Sequence, residues 1–115
     1  MTTDATPTPD AAVPATQAAR MQAAVDKAVA FAPPFLRGEV HADDMAHTMV
    51  GAVRTYVEQE KALGSNGEPH DRDAQALYGT LAELMACGSG YLAGRCDGAC
   101  VARTMTQMVH EFGGR

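Results

Sequence analysis

The sequence predicts an all-α protein, a small bundle of about four helices with a disordered N-terminal tail. The first observation is composition: the 115 residues include 22 Ala and 7 Met but no Trp, and the β-branched and aromatic residues that sheets favour are scarce. The second is periodicity, since apolar residues recur at spacings of three and four in segments separated by Gly and Pro. This length suits one domain, which we place at residues 14–115, after a tail at residues 1–13.

The first helix follows that tail, in which Thr, Pro, Ala and Asp provide little that can pack. Pro14 is suited to the first helical turn, and we expect Pro33 and Pro34 to end the helix. Phe35 and Leu36 then form a turn with two large apolar side chains, which we expect at the surface. The predicted core face comprises Ala18, Met21, Val25, Ala28 and Ala32.

The second helix begins at Asp43 and Asp44, because acidic residues are favourable at a helix N-terminus. It runs for about 20 residues and ends before the Gly-rich and Pro-containing loop at residues 64–69. Its predicted apolar face comprises Met45, Met49, Ala52, Tyr56 and Leu63.

The third helix begins at Asp71 or Asp73 and ends at Gly94, and Asp97 is placed to cap the fourth. One apolar stripe of the third helix comprises Leu77, Leu81, Leu84, Gly88 and Tyr91, and a second comprises Tyr78, Met85 and Leu92. The fourth helix has its apolar face at Val101, Met105, Met108 and Phe112.

Small residues also recur on the third helix, where Ala82, Ala86, Gly90 and Gly94 are four apart. Such a stripe lets another helix backbone approach closely, so this helix either lies at the centre of its own bundle or also contacts a second chain. Methionine favours adaptable interfaces, and the six internal ones fall on or beside the apolar stripes. The predicted partner-binding residues are Phe35, Leu36, Tyr78, Ala82, Met85, Ala86, Gly90 and Leu92, and the predicted dimer-interface residues are Met49, Tyr56, Met105 and Met108.

The charge balance excludes several partners. Nine basic residues against 14 acidic ones give a net charge of -5, and the basic residues are scattered, so we expect neither direct nucleic-acid binding nor attraction to an anionic membrane. Residues 76–94 carry one charge, Glu83, but four glycines, which favours a buried helix over a membrane span. Residues 1–7 show no signal-peptide pattern, and with an odd number of cysteines we expect a cytoplasmic protein with reduced thiols.

The three cysteines have the spacing C-x8-C-x3-C, at Cys87, Cys96 and Cys100. Zinc sites generally use closer pairs and four ligands, so a histidine from elsewhere would have to complete a site, His110 being the nearest in sequence. We therefore predict no metal and no cofactor. A redox role is an alternative, since Cys100 falls in the first turn of the fourth helix, where the helix dipole can lower a thiol pKa. Buried, inert cysteine is the third possibility.

An enzymatic role is not predicted. Asp43 and His47 share a helix face, as in some metal hydrolases, but no second histidine or carboxylate motif accompanies them. A phosphate-binding loop, a nucleophile elbow and a cysteine-histidine-aspartate arrangement are all missing from the sequence.

The helical hairpin formed by AVRTYVEQEKAL at residues 52–63, a polar loop and AQALYGTL at residues 74–81 resembles the small helical antiactivators of bacterial quorum sensing, of the TraM and QslA type. The resemblance is one of length, acidity and hairpin layout. It implies binding of LuxR-type transcription factors, which such proteins keep from DNA, and it transfers no functional residue.

These observations predict a non-enzymatic regulatory protein that forms a homodimer and sequesters a protein partner, a LuxR-type regulator being the partner that the resemblance implies. Dimerisation would also supplement a core that is rich in Ala and poor in larger aliphatic side chains. Two alternatives stay open: a bundle that binds a small molecule or metal in a cavity lined by Met, Cys and Tyr, and a structural subunit that forms assemblies.

Overall fold

The computed structural model describes residues 13–113, which form four α-helices. These are α1 (Gln17–Leu36), α2 (Ala42–Ala62), α3 (Arg72–Leu92) and α4 (Gly98–Phe112). The predicted all-α class is confirmed, and the described residues contain no strand. The predicted tail lies outside the described residues except for Val13, which is half exposed.

Each helix begins at a side chain that caps its N-terminus. Asp71 Oδ1 accepts a hydrogen bond from the N–H of Ala74 at 2.9 Å, and Asp97 Oδ1 accepts one from Cys100 at 3.1 Å. These bonds satisfy N–H groups that have no partner within the helix. Both aspartates are therefore the helix caps that the sequence predicts. The N-caps of α1 and α2 are Thr16 and His41.

The end of α1 differs from the prediction, because the helix passes through Pro33 and Pro34 and continues to Leu36. Proline has a helix-compatible φ, and in the last turn it removes only a few hydrogen bonds. The helix ends instead at Gly38, whose φ of 82° is left-handed. The following Glu39 N–H donates to Pro34 O at 2.9 Å, which closes the helix end with a Schellman-type bond.

The core is built around methionine. Met21, Met45 and Met105 are completely buried, and Leu84 of α3 lies among them. The four predicted dimer-interface residues lie in this same core, none more than 3% exposed: Met49, Tyr56, Met105 and Met108. The three methionines face the chain's own helices, where they supply the volume that Leu and Ile do not, whereas Tyr56 also lines a groove between α2 and α3.

Close approach of α2 and α3 occurs at Gly88. A Cβ at this position would lie 2.9 Å from Val50 Cγ2 and 3.0 Å from the carbonyl oxygen of Ala46. On the small-residue stripe, by contrast, Ala82 and Ala86 are exposed. The tight helix contact therefore lies on the Leu84–Gly88 side of α3, and the predicted stripe faces solvent at both of these alanines.

A buried polar cluster joins α1 to α2 and to the loop that follows α2. It comprises Gln17, Arg20, Tyr56 and Glu60, each at most 8% exposed. The Arg20 guanidinium donates to the Glu60 carboxylate. The Gln17 amide donates to the carbonyl of Glu68 at 2.7 Å and accepts from the N–H of His70 at 2.8 Å. These bonds hold the loop before α3 against α1.

Charge pairing controls the ionisation of this cluster. Burial by itself would raise the pKa of Glu60, but the hydrogen bond and positive charge of Arg20 outweigh it, so this pKa lies below the usual range of a carboxyl group. Burial, together with the charge of Glu60, raises the pKa of Tyr56. The Tyr56 hydroxyl stays protonated and donates to the carbonyl of Gly67 at 3.0 Å. The partners are mutually satisfied, which indicates a structural role.

Within residues 13–113, none of the helices has the length and apolar character that crossing a membrane requires.

Candidate metal centre

The three cysteines, well separated in sequence, meet at one end of the bundle. Cys87 lies in the C-terminal half of α3, Cys96 in the connection between α3 and α4, and Cys100 in the first turn of α4. Their Sγ atoms all lie within 4.8 Å of one another. All three residues are half-buried and carry free thiols. We refer to these residues as the thiol cluster.

The chain reversal after α3 brings the thiol cluster together. Gly94, with a left-handed φ of 81°, ends α3 as predicted, and its N–H donates to Tyr91 O at 3.0 Å. The next N–H, of Arg95, donates to Gly90 O at 2.8 Å, completing a Schellman motif. Two residues later Asp97 caps α4. Because one helix ends and the next begins within a few residues, Cys96 is held between the Cys-bearing turns of α3 and α4.

Backbone carbonyls accept the hydrogen bonds of two of the thiols. The Cys87 thiol donates to the carbonyl of Cys100 at 4.0 Å, and the Cys96 thiol donates to that of Cys87 at 3.7 Å. Thr104, one turn along α4 from Cys100, partly offsets the effect of burial on the pKa of Cys87. Gly90 lies beneath the cluster, since a Cβ there would be 3.8 Å from Cys96 Sγ.

The surroundings of Cys87 and Cys96 favour the protonated forms of these two thiols. The hydrogen bond with Cys100, together with burial and the neighbouring sulfurs, raises the pKa of Cys96 to about 11. Burial is the main cause that raises the pKa of Cys87. Reactive redox cysteines need the opposite shift, toward the thiolate. The redox interpretation of the sequence therefore finds no support at Cys87 or Cys96.

Tyr91 connects the thiol cluster to the start of α2. It lies near Cys96, and its hydroxyl donates to Asp43 Oδ1 at 2.6 Å. His47 bonds through its ring nitrogen to the backbone oxygen of Asp43 at 2.8 Å. In the described part of the chain, these two α2 residues gather no further ligands into a metal-binding group.

The potential ligands in the cluster are sulfur alone. Among residues 13–113, the group of side chains able to hold a metal contains Cys87, Cys96 and Cys100, with no histidine or carboxylate. His110, the fourth ligand considered from the sequence, is ten residues beyond Cys100 on α4, about 15 Å along the helix axis. The fold therefore brings together three thiols whose spacing in the sequence did not predict a metal site.

The predicted partner-binding residues fall into four environments. Tyr78, Ala82 and Met85 meet in a half-open groove between α2 and α3 with a volume of about 160 Å³. Leu36 and Leu92 are exposed elsewhere, and Phe35 packs partly against the core. Ala86 is exposed, and Gly90 is buried beside Cys96. The structure thus unites three of the eight residues in one depression.

No family model, curated protein or solved structure matches this chain significantly. A signal for the thiol cluster was present in the sequence, because a helix-ending Gly94 and a helix-starting Asp97 flank Cys96 and place a tight reversal between the other two cysteines.

Proposed function

We propose that this protein binds a thiophilic metal or metalloid ion through the thiol cluster. The observation that carries the proposal is the convergence of three free Sγ atoms within 4.8 Å of one another. Metal–sulfur bonds of about 2.3 Å need sulfur atoms about 3.8 Å apart, so side-chain adjustments of about 1 Å or less would close the site.

The ligand chemistry defines the class of ion. Thiolate sulfur is a soft donor that favours ions such as Cu(I), Zn(II) and Cd(II), whereas Mg(II) and Ca(II) need oxygen ligands. The half-buried cysteines are reachable from solvent and are also partly screened from it. Binding would displace thiol protons and relieve the repulsion that three adjacent thiolates would otherwise experience.

Ion binding would also fasten the C-terminal part of α3 to the N-terminal turn of α4, because Cys87 and Cys100 lie on these two helices. A ligand that binds only the folded chain stabilises it, by about 2.7 kcal/mol at a free concentration 100 times its Kd. Binding and unfolding measurements therefore test the same site independently.

The experiment titrates the reduced protein with Cd(II) under anaerobic conditions, with a non-thiol reductant. We expect one ion per chain by native mass spectrometry and a thiolate-to-cadmium absorption band. Cys87→Ser, Cys96→Ser and Cys100→Ser should each weaken binding. His47→Ala and His110→Ala are matched controls that remove potential ligands outside the cluster, and they should leave binding unchanged. A wild-type protein that retains no ion, or a triple Ser variant that binds equally well, would overturn the proposal.

A second candidate function is the sequestration of a protein partner, with a LuxR-type regulator as the partner implied by the resemblance to quorum-sensing antiactivators. The specific support is the groove between α2 and α3, at whose edge Val57 and Tyr78 are 37% and 44% exposed. Apolar side chains at such a depression are typical of protein-binding surfaces. A homodimer and a cytoplasmic location belong to this same proposal.

Pull-down from the native host and light scattering after size exclusion test the second candidate. Capture of a transcription regulator, weakened by Tyr78→Ala but not by Tyr91→Phe, would support it. A monomer that retains no partner would contradict it, and large rings or filaments would instead favour the structural subunit.

A further inference from the structure

We propose that the thiol cluster takes a trivalent metalloid hydroxide, As(OH)3 or its antimony counterpart, and converts it into a neutral three-sulfur complex. This inference rests on the proposed ion binding at the same residues, and it specifies the chemical class of the ion. Its basis is the number of sulfur donors, the lack of a fourth ligand in the group and the charge of the resulting complex.

The number of sulfur donors favours a trivalent centre. Among the residues that the structure describes, the cluster offers three sulfur atoms and no histidine or carboxylate. Structural zinc sites use four protein ligands, so zinc here would need water as its fourth ligand. Trivalent arsenic and antimony form three bonds and keep a lone pair in the fourth position. Three thiols therefore complete their coordination.

The net charge of the complex also favours a trivalent centre. Three thiolates carry a charge of -3, so Cu(I) would leave a net -2 and Zn(II) a net -1, whereas a trivalent centre leaves none. Two of the thiols hydrogen-bond to backbone carbonyls, and the arginines closest in sequence, Arg95 and Arg103, are exposed. Residual negative charge at a half-buried site is costly without a nearby cation, and the protein already carries a net charge of -5. A neutral complex avoids this cost.

The reaction is a condensation that needs no oxidant or reductant. One As(OH)3 reacts with the thiols of Cys87, Cys96 and Cys100. Three As–O and three S–H bonds break, three As–S bonds and three O–H bonds form, and three water molecules leave. Arsenic stays in the +3 state and the sulfurs are not oxidised. The reaction therefore requires only that the three thiols lie close together, and their Sγ atoms lie within 4.8 Å of one another.

The test incubates the reduced full chain with sodium arsenite without oxygen and measures the product by native mass spectrometry. The expected mass gain is one arsenic atom less three hydrogen atoms per chain. Each single variant, Cys87→Ser, Cys96→Ser or Cys100→Ser, should lower arsenite affinity by at least about tenfold, because the third sulfur no longer adds within the same molecule.

Phenylarsine oxide is the matched probe, because its arsenic already carries a carbon substituent and needs only two sulfurs. The single Ser variants should still bind it, which shows that their remaining thiols are accessible. Circular dichroism checks the fold separately.

The outcomes separate the inference from the function on which it rests. Stoichiometric Cd(II) binding at the cysteines without covalent arsenic would overturn the metalloid inference and leave ion binding standing. Failure of both probes would overturn both. If one of the three Cys→Ser substitutions left the arsenite affinity unchanged, the site would use only two sulfurs, and the inference would be refuted.

Discussion

Replacing Gly88 with alanine should destabilise the protein, although the same substitution normally favours a helix. A Cβ at position 88 would lie 2.9 Å from Val50 Cγ2, 3.0 Å from the Ala46 carbonyl oxygen and 3.3 Å from Met49 Cβ. The Ala46 oxygen belongs to the backbone of α2, so it cannot rotate away, and α2 and α3 would have to separate by a few tenths of an ångström. Overpacking of this kind costs about 1–3 kcal/mol.

The intrinsic preference of a helix for Ala over Gly offsets about 1 kcal/mol of this steric cost. The steric cost lies toward the upper end of its range because a backbone atom is involved, and the net loss in the free energy of unfolding should be about 1–2 kcal/mol. Urea unfolding followed by circular dichroism measures this difference, provided that the slope against urea stays the same in both proteins.

Gly79→Ala is the matched control on the same helix, because nothing lies within 4 Å of a Cβ built at position 79. It should raise stability by up to about 1 kcal/mol. The two variants should therefore differ by about 2–3 kcal/mol with opposite signs relative to the wild type. If Gly88→Ala were as stable as Gly79→Ala, the inferred close contact between α2 and α3 would be refuted.

Two further predictions concern the buried ion pair and the helix caps. Glu60→Gln should lower stability at pH 7 by about 3 kcal/mol, because Arg20 stays buried without its counter-charge. The pKa of Glu60 in the folded state is lowered, so the ion pair stabilises the fold fully above the unfolded pKa of about 4.3 and is lost as the pH falls through the folded pKa. The difference in the free energy of unfolding between wild type and variant should therefore shrink in acid. A difference that is independent of pH would contradict this role of Glu60. Asp97→Ala should cost about 1 kcal/mol and weaken Cd(II) binding, because the turn that carries Cys100 would fray. Asp71→Ala removes a comparable cap from α3 and should leave Cd(II) affinity unchanged, so equal losses of affinity would argue against the role assigned to Asp97.

The boundaries of α3 and the start of α4 were the most predictable helix ends. Asp71 and Asp97 cap their own helices, and Gly94 ends α3 in a left-handed conformation. Each of these signals acts through hydrogen bonds within a few residues, so it can be recognised in a short stretch of sequence. The prolines at the end of α1 predict an earlier end than the structure shows, because the end of the helix depends on where the following turn closes, and that turn forms at Gly38.

The candidate site was less predictable because it depends on contacts between helices. Ligand spacing argued against a metal site at Cys87, Cys96 and Cys100, yet the reversal after α3 brings their sulfurs together. Similarly, the apolar stripes identified Met49 and Met105 without showing whether they face the chain's own core or a partner, and the packing of the helices places both inside.

The amino-acid sequence alone was enough to predict the all-α class, the caps of α3 and α4 and the end of α3 at Gly94, because composition, periodicity and capping act locally along the chain. The packing of the helices was needed to show which apolar stripe is buried and that Gly88, rather than the stripe of Ala82 and Ala86, forms the tight helix contact. It was also needed to show that the three thiols converge. The physical reason is that a helical repeat specifies which residues share a face, whereas the crossing of the helices and the turns between them determine what that face meets.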